Sequence, residues 1–189
     1  MLNIYLCICI CAIIWIVNGI WIMQALKERI TSEVYIHTGL GIFFTLLTLE
    51  LSIGMHGAWS HFNISWLKLI GWIFYVPSAI LVFGAMIELK RKGKTETYDP
   101  TSTTSFVDTG IYRIIRQPIT LGIAVWSIAL IFVFQSVLSI VLGLLVIFCC
   151  WMSARQEGEY NTKKFGDRYK EYMRKVPMWN IFKCVRKLK

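Results

Sequence analysis

Two polar segments of the sequence carry side chains that could bind a small charged molecule. The first, residues 104–118, reads TSFVDTGIYRIIRQP and ends on a proline, which is favoured at the first position of a helix. Arg116 would therefore lie beside main-chain N–H groups that favour an anion. The second, residues 155–177, contains the acidic residues Glu157 and Glu159. Because a guanidinium suits a carboxylate or phosphate and a carboxylate suits a cation or ribose hydroxyls, the two segments predict a site for a zwitterionic small molecule.

Other kinds of catalytic site are not indicated. No arrangement of residues resembles a nucleophile with its base. Cys7, Cys9 and Cys11 alternate along an apolar stretch, and alternate residues of a helix point to different faces. Cys149 and Cys150 are adjacent and lack the spacing of a metal-binding pair. The sequence therefore predicts no metal site.

The composition is that of a membrane protein. The chain has 189 residues, of which 56% are hydrophobic and only 16% charged, and its mean hydropathy is +0.58. A soluble domain of this size needs more charge to cover its surface. The net charge of +9 could indicate a nucleic-acid partner, but the basic residues lie between long apolar stretches. We therefore expect one integral membrane domain with membrane lipids around it and no nucleic-acid partner.

Uncharged stretches predict the membrane spans. A spanning helix needs about 20 residues, and residues 117–154 form an uncharged stretch nearly twice that long. We expect it to fold as two short spans separated at Gln135–Ser136. The predicted fold class is an all-α integral membrane protein with five transmembrane helices and a C-terminal amphipathic cytoplasmic segment. The predicted spans lie near residues 2–25, 37–59, 67–88, 118–134 and 137–155.

The basic residues predict the orientation. With five spans, residues 27–36, residues 89–117 and the C-terminal segment lie on one side and carry 2, 6 and 11 of the 20 Lys and Arg residues. This asymmetry follows the positive-inside rule, so the C-terminus is expected in the cytoplasm and the N-terminus outside. The first apolar stretch is longer than a signal-peptide core, and we expect it to remain as a helix.

The predicted hairpin of the last two spans brings the two polar segments together. It places a pocket between residues 98–120 and 155–182, with Arg116 and Tyr112 on one wall and Glu157 and Glu159 on the other. Glu50 is the one ionisable residue well inside a predicted span. Such a residue pairs with another helix or contacts a substrate, and both interpretations stay open.

These segments resemble a known superfamily. Residues 107–118, VDTGIYRIIRQP, are similar to the G-x-Y-x-x-x-R-H-P signature of the isoprenylcysteine carboxyl methyltransferase and phospholipid methyltransferase superfamily. Residues 157–177 are similar to its closing element, E-E followed by F-G-x-x-Y-x-x-Y and V-P. The resemblance covers about residues 98–182, and the two elements occur in the expected order.

The resemblance implies S-adenosylmethionine as cofactor, bound on the cytoplasmic face. The implied reaction is methyl transfer to a carboxylate, amine, hydroxyl or thiol of a lipophilic or lipid acceptor dissolved in the membrane. Arg116 and Gln117 would act in catalysis, and Arg155 and Glu50 would contact the acceptor. The implied cofactor-binding residues are Phe106, Val107, Tyr112, Gln117, Pro118, Thr120, Glu157 and Glu159.

The sequence departs from the pattern at several positions. Gln117 replaces the signature His, so this position can form hydrogen bonds but cannot act as a general base. Thr120 replaces a Tyr, and Gly158 replaces the second Glu of the pair, although Glu159 follows. Ser153 occupies the position of the Arg that meets the acceptor carboxylate in the prenylcysteine enzymes.

Two other functions remain possible from the sequence. A membrane reductase of the sterol-reductase type has similar Arg-His-Pro and Tyr-Gly elements and binds NADPH, although such chains are generally longer. A catalytically degenerate relative could instead serve as a membrane scaffold, because Gln117 and Thr120 depart from the signature. Separate binding of each cofactor distinguishes these functions.

Overall fold

The computed structural model describes residues 4–92 and 107–179. Within these ranges the chain is helical and contains no strand. Two short 3₁₀ segments, Gly54–His56 and Gly110–Arg113, lie in connections. The α-helices are α1 (Ile4–Glu28), α2 (Thr31–Ser52), α3 (Ser65–Lys92), α4 (Pro118–Phe134), α5 (Val137–Phe165) and α6 (Asp167–Lys175).

Four of the described helical segments are long and apolar enough to cross a membrane: α1, α2 with its following 3₁₀ turn, α3 and α5. The 17-residue helix α4 is also apolar but shorter, about 25 Å at 1.5 Å per residue. The fold is therefore that of an all-α, multi-pass membrane protein with four candidate spans. A fifth span through α4 stays a prediction.

Helix bounds and predicted spans differ most at α2 and α5. α4 coincides with residues 118–134, and the break before α5 falls at Gln135–Ser136. α5 continues to Phe165, well beyond residue 155. Charged residues mark the end of an apolar stretch, but they do not end a helix when they remain good helix formers. α2 begins and ends earlier than residues 37–59, and the 3₁₀ turn follows it.

The helices pack in an order different from that of the chain. α3 packs on α4, α4 on α5, α5 on α2, and α2 on α1. Leu46, Leu130 and Val146 are fully buried in the core that these contacts form. α3 and α4 approach closely at Gly122, where a Cβ atom would lie 2.6 Å from Cγ2 of Val82. Small residues at such crossings are typical of membrane helix bundles.

The connections divide the bundle into two ends. At one end, which we call the far end, α2 joins α3 and α4 joins α5. Gln135 adopts the left-handed conformation there (φ 54°), and its side chain accepts from the main-chain N–H of Ile64 and donates to the carbonyl of the same residue. At the other end α1 joins α2, and residues 107–117 lead into α4. We call residues 107–117 the signature loop.

Candidate functional site

A cavity of about 540 Å³ lies at the end of the bundle that contains the signature loop. Small-molecule sites in proteins commonly measure about 300–1,000 Å³, so its size suits a cofactor. It is bounded by the ends of α1 and α3, the starts of α2 and α4, the last turns of α5, and α6. Its lining includes six residues of the predicted site: Val107, Tyr112, Arg116, Gln117, Thr120 and Glu157.

The signature loop is fixed to the end of α3. Gly110 has φ +57°, and a Cβ atom there would lie 2.8 Å from the carboxyl carbon of Glu88. Thr109 Oγ1 donates to Glu88 Oε1 at 2.7 Å, and Lys92 Nζ pairs with the same carboxylate at 2.8 Å. The glycine allows this close approach, and the contacts hold the chain just before Tyr112.

The segment after α6 closes on the signature loop. The main-chain N–H groups of Arg116 and Gln117 donate to the carbonyls of Pro177 and Met178 at 3.0 and 3.3 Å. Trp179 Nε1 donates to Thr120 Oγ1 at 3.2 Å. The start of α4 is thereby tied to the end of the described residues, and the two motif elements become one structural unit.

Arg116 presents an unsatisfied hydrogen-bond donor. Its Nε atom is buried and has no hydrogen-bond partner among the residues that the structure describes. A buried donor without a partner is costly, and such groups are rare in folded proteins. Because Arg116 lines the cavity, a ligand carboxylate bound there would satisfy the guanidinium.

Glu157 faces the same cavity from α5. The side chain of Gln117 hydrogen-bonds to it, and Asn161 Nδ2 donates to its Oε1 atom at 3.4 Å. The positive charge of Arg116 also acts on this carboxylate. The arrangement therefore places a guanidinium and a carboxylate in one cavity, which suits a ligand with both charges or with ribose hydroxyls.

Three buried tyrosines keep their protons at neutral pH. Burial raises the pKa of Tyr112 and Tyr172 well above the usual range, and the charge of Glu157 raises the pKa of Tyr112 further. Burial and the same carboxylate raise the pKa of Tyr169 to about 12. These side chains are neutral hydroxyl donors in a largely desolvated part of the cavity wall.

The first two helices form the opposite wall, which the sequence motifs did not indicate. The end of α1 and the start of α2 contribute aromatic, amide and acidic side chains. The only signal for them was the predicted placement of residues 27–36 on the side of the C-terminal segment. Asn161 also had no motif signal. The residues of this wall include Trp21, Gln24, Glu28, Ser32, Glu33 and Ile36.

Some residues of the predicted site do not line the cavity. Glu159 is exposed, and Arg155 is exposed with its guanidinium 5.8 Å from the ring centroid of Trp151. Pro118 is fully buried at the first position of α4, where it begins the helix beside Gln117. Phe106 lies outside the described residues.

Glu50 lies at the far end. It is fully buried, and its carboxyl group accepts hydrogen bonds from Ser136 Oγ and, at 3.2 Å, from Trp59 Nε1. Along α2 it is about 26 Å from Glu33, at 1.5 Å per residue. The structure therefore surrounds Glu50 with protein donors and does not bring it to the cavity.

The family match covers the signature loop and the first part of the closing element. Residues 66–168 match the family model of the phospholipid methyltransferases, which is more than half of the chain. The chain belongs to the phospholipid methyltransferase family. The match begins at the start of α3 and ends in α6, so it contains the signature loop and Glu157. It confirms the resemblance seen in the two motifs, and it supports methyltransferase activity in the membrane. Neither a curated protein nor a solved structure matches the chain.

Proposed function

We propose that this protein transfers a methyl group from S-adenosylmethionine to the amine headgroup of a phospholipid. The observation that carries the proposal is that one cavity within the family region is lined by Arg116, whose buried Nε atom has no hydrogen-bond partner among the described residues, and by Glu157. The cofactor supplies an electrophilic methyl group on a sulfonium sulfur. NADPH is the weaker candidate, because the family that the chain matches is a methyltransferase family.

The cavity residues divide the binding of the cofactor between them. Arg116 holds the amino-acid carboxylate, and Glu157 accepts hydrogen bonds from the ribose hydroxyls or pairs with the ammonium group. Val107, Tyr112 and Thr120 line the remaining wall near the start of α4. Pro118 is buried at the first position of α4 and supports the same region.

Catalysis depends mainly on orientation. Displacement at a sulfonium methyl needs donor and acceptor in line, and holding them so contributes much of the rate. Gln117 cannot remove a proton from the acceptor, because an amide does not titrate near neutral pH. Arg116 and Gln117 therefore act by holding the cofactor and Glu157 in place.

The wall formed by α1 and α2 favours an amine acceptor among the four possible classes. Glu28 and Glu33 give this wall negative charge, and Trp21 adds an aromatic ring that lines the cavity. A carboxylate acceptor would be repelled there, whereas a headgroup that carries an amine is attracted. Glu50 and Arg155 are left out of the proposed site because neither lines the cavity.

The proposed orientation puts the cavity at the cytoplasmic surface. The helix ends around it carry most of the basic residues, including Lys27, Lys90, Arg91 and Lys92. The positive-inside rule assigns this end to the cytoplasm. In this orientation α4 is an additional membrane-spanning helix, which brings the number of spans to five. It begins at the cavity and ends at the far end, as a spanning helix must.

Calorimetric titration of the detergent-purified protein tests the cofactor. S-adenosylmethionine, its demethylated product and NADPH are titrated into wild type, Glu157→Gln and Glu159→Gln. We expect saturable binding of the first two compounds, loss of that binding in Glu157→Gln, and no change in the exposed control Glu159→Gln. Binding of NADPH alone would favour the reductase, and binding of none by a folded sample would favour the scaffold.

A further inference from the structure

Two side-chain amides, one from α5 and one from the end of the signature loop, bracket the Glu157 carboxylate. Asn161 approaches from the next turn of α5, with its Nδ2 atom 3.4 Å from Oε1. Gln117 approaches from the start of α4. Both amides also hydrogen-bond to the Tyr169 side chain, which is only 3% exposed. The carboxylate and the phenol are therefore joined by the same two residues.

This arrangement controls the direction of the carboxylate. Asn161 follows Glu157 by four residues, so the two side chains lie on one face of α5. A pair of this kind on an exposed helix face would leave the carboxylate free to rotate. Here the second amide comes from Gln117 at the end of the signature loop, and the phenol of Tyr169 on α6 hydrogen-bonds to both amides, so three elements fix the position of the carboxylate. Asn161 lines the cavity together with these residues.

We propose that Asn161 is a positioning residue that acts with Gln117 to orient Glu157 toward the bound cofactor. The inference rests on the proposed function, since it specifies how the cofactor-binding carboxylate is held. Both donors are neutral amides, and Gln117 stands where the superfamily signature has His. The hydrogen bonds to Glu157 are therefore retained across the pH range in which an imidazole would change its charge.

The test compares one substitution that removes the side-chain amide with one that keeps its shape. Asn161→Ala removes the donor. Asn161→Asp keeps the shape but replaces the donor with a second carboxyl group beside Glu157, which can donate a hydrogen bond only when it is protonated. Exposed Lys163→Ala on the same helix is the matched control. Affinity for S-adenosylmethionine is measured by calorimetry from pH 5.5 to 8.5.

Wild type and the three variants have the same other titratable groups around Glu157. Among the described residues, those that face it or share its cavity are Arg116, Tyr112, Tyr160, Tyr169, Tyr172, Lys164, Glu28 and Glu33. The difference between the profiles of Asn161→Asp and wild type therefore isolates the new pair of carboxyl groups.

We expect Asn161→Ala to bind roughly tenfold more weakly than wild type, as for loss of a hydrogen bond to a charged group. Asn161→Asp binds more weakly still at pH 7.5 and recovers toward pH 5.5, where the two carboxyl groups share a proton. Wild-type affinity in Asn161→Asp at pH 7.5 would overturn the inference while the proposed function stands. Failure of folded wild type to bind would overturn both. If Asn161→Ala does not fold, the isosteric Asn161→Asp decides.

Discussion

The hydroxyl of Tyr172 donates a 2.6 Å hydrogen bond to the main-chain carbonyl of Tyr112. Both side chains are 8% exposed, so this bond crosses a desolvated contact between α6 and the signature loop. The two motif elements of the sequence are separated by the α4–α5 hairpin, and this bond is one of the contacts that join them. The cavity therefore depends on the last described helix as much as on the signature loop.

Removing that hydrogen bond is expected to destabilise the cavity end. In Tyr172→Phe the carbonyl of Tyr112 stays buried without its donor, which costs about 1–3 kcal/mol. The thermal unfolding midpoint in detergent should fall, and the affinity for S-adenosylmethionine should fall with it. Tyr35→Phe is the control, because Tyr35 is only partly buried and does not line the cavity. An unchanged midpoint in Tyr172→Phe would show that α6 is held by other contacts.

The junction between α5 and α6 requires a glycine. Gly166 has φ +61° and ψ −139°, a conformation that is strained for any residue with a Cβ atom. Gly166→Ala should destabilise the protein by about 1–3 kcal/mol, although nothing lies within 4 Å of the added methyl group. Unfolding in detergent measures the change.

A glycine inside α5, Gly158, provides the matched comparison for Gly166. Gly158 lies inside the helix, and an added Cβ atom would meet Met173 Cε at 3.8 Å, an ordinary contact. Gly158→Ala should therefore keep or raise the stability, because alanine favours a helix by about 1 kcal/mol over glycine. Equal effects of the two substitutions would remove the backbone explanation for Gly166.

The sequence predicted the parts of the site that local chemistry specifies. Because Pro118 was expected to begin a helix, Arg116 and Gln117 were expected just before the start of α4. The polar pair Gln135–Ser136 was expected to separate α4 from α5. Once these helices form a hairpin, Glu157 must return to the same end as Arg116. These steps need only the lengths of apolar stretches and the properties of proline.

The remaining parts depend on tertiary packing that no local pattern records. The cavity is lined by Trp21, Glu28 and Glu33 because α2 packs on α5 and α1 packs on α2. Glu159 is two residues from Glu157 and so turns to another face of α5, which the motif alone did not indicate. The partner of Glu50 could not be predicted, since Ser136 is 86 residues away.

Glu50 is expected to stabilise the far end without affecting the cofactor. Its carboxyl group accepts one hydrogen bond from Ser136 Oγ and one from Trp59 Nε1. In Glu50→Gln an NH2 group replaces one of the two acceptor oxygens. One of the two donors therefore loses its acceptor, which costs about 1–3 kcal/mol. The unfolding midpoint should fall while affinity for S-adenosylmethionine stays at the wild-type value.

Ser136→Ala provides the comparison for Glu50. Because the two residues share one hydrogen bond, the double variant should lose less stability than the sum of the single losses. A change in cofactor affinity with unchanged stability in Glu50→Gln would instead assign Glu50 to the ligand site.

Stability at alkaline pH should depend on Tyr169. Its pKa in the folded protein is about 12, above the ordinary value of about 10, because burial and Glu157 disfavour the charged form. The folded state therefore holds this proton more tightly, and the resulting stability is present below pH 10 and is lost as the pH rises toward 12. The unfolding midpoint of wild type should fall more steeply from pH 9 to 11.5 than that of Tyr169→Phe. Parallel curves would contradict the assignment.

Methyl transfer by the protein reconstituted in vesicles tests the proposed reaction itself. The donor is S-adenosylmethionine with a labelled methyl group, and the vesicles contain either phosphatidylethanolamine or phosphatidylglycerol, which has no amine. We expect label in the lipid fraction of the phosphatidylethanolamine vesicles only, and loss of that label with Glu157→Gln. Absence of label in both vesicles, with wild-type protein shown to be folded and inserted, would contradict it.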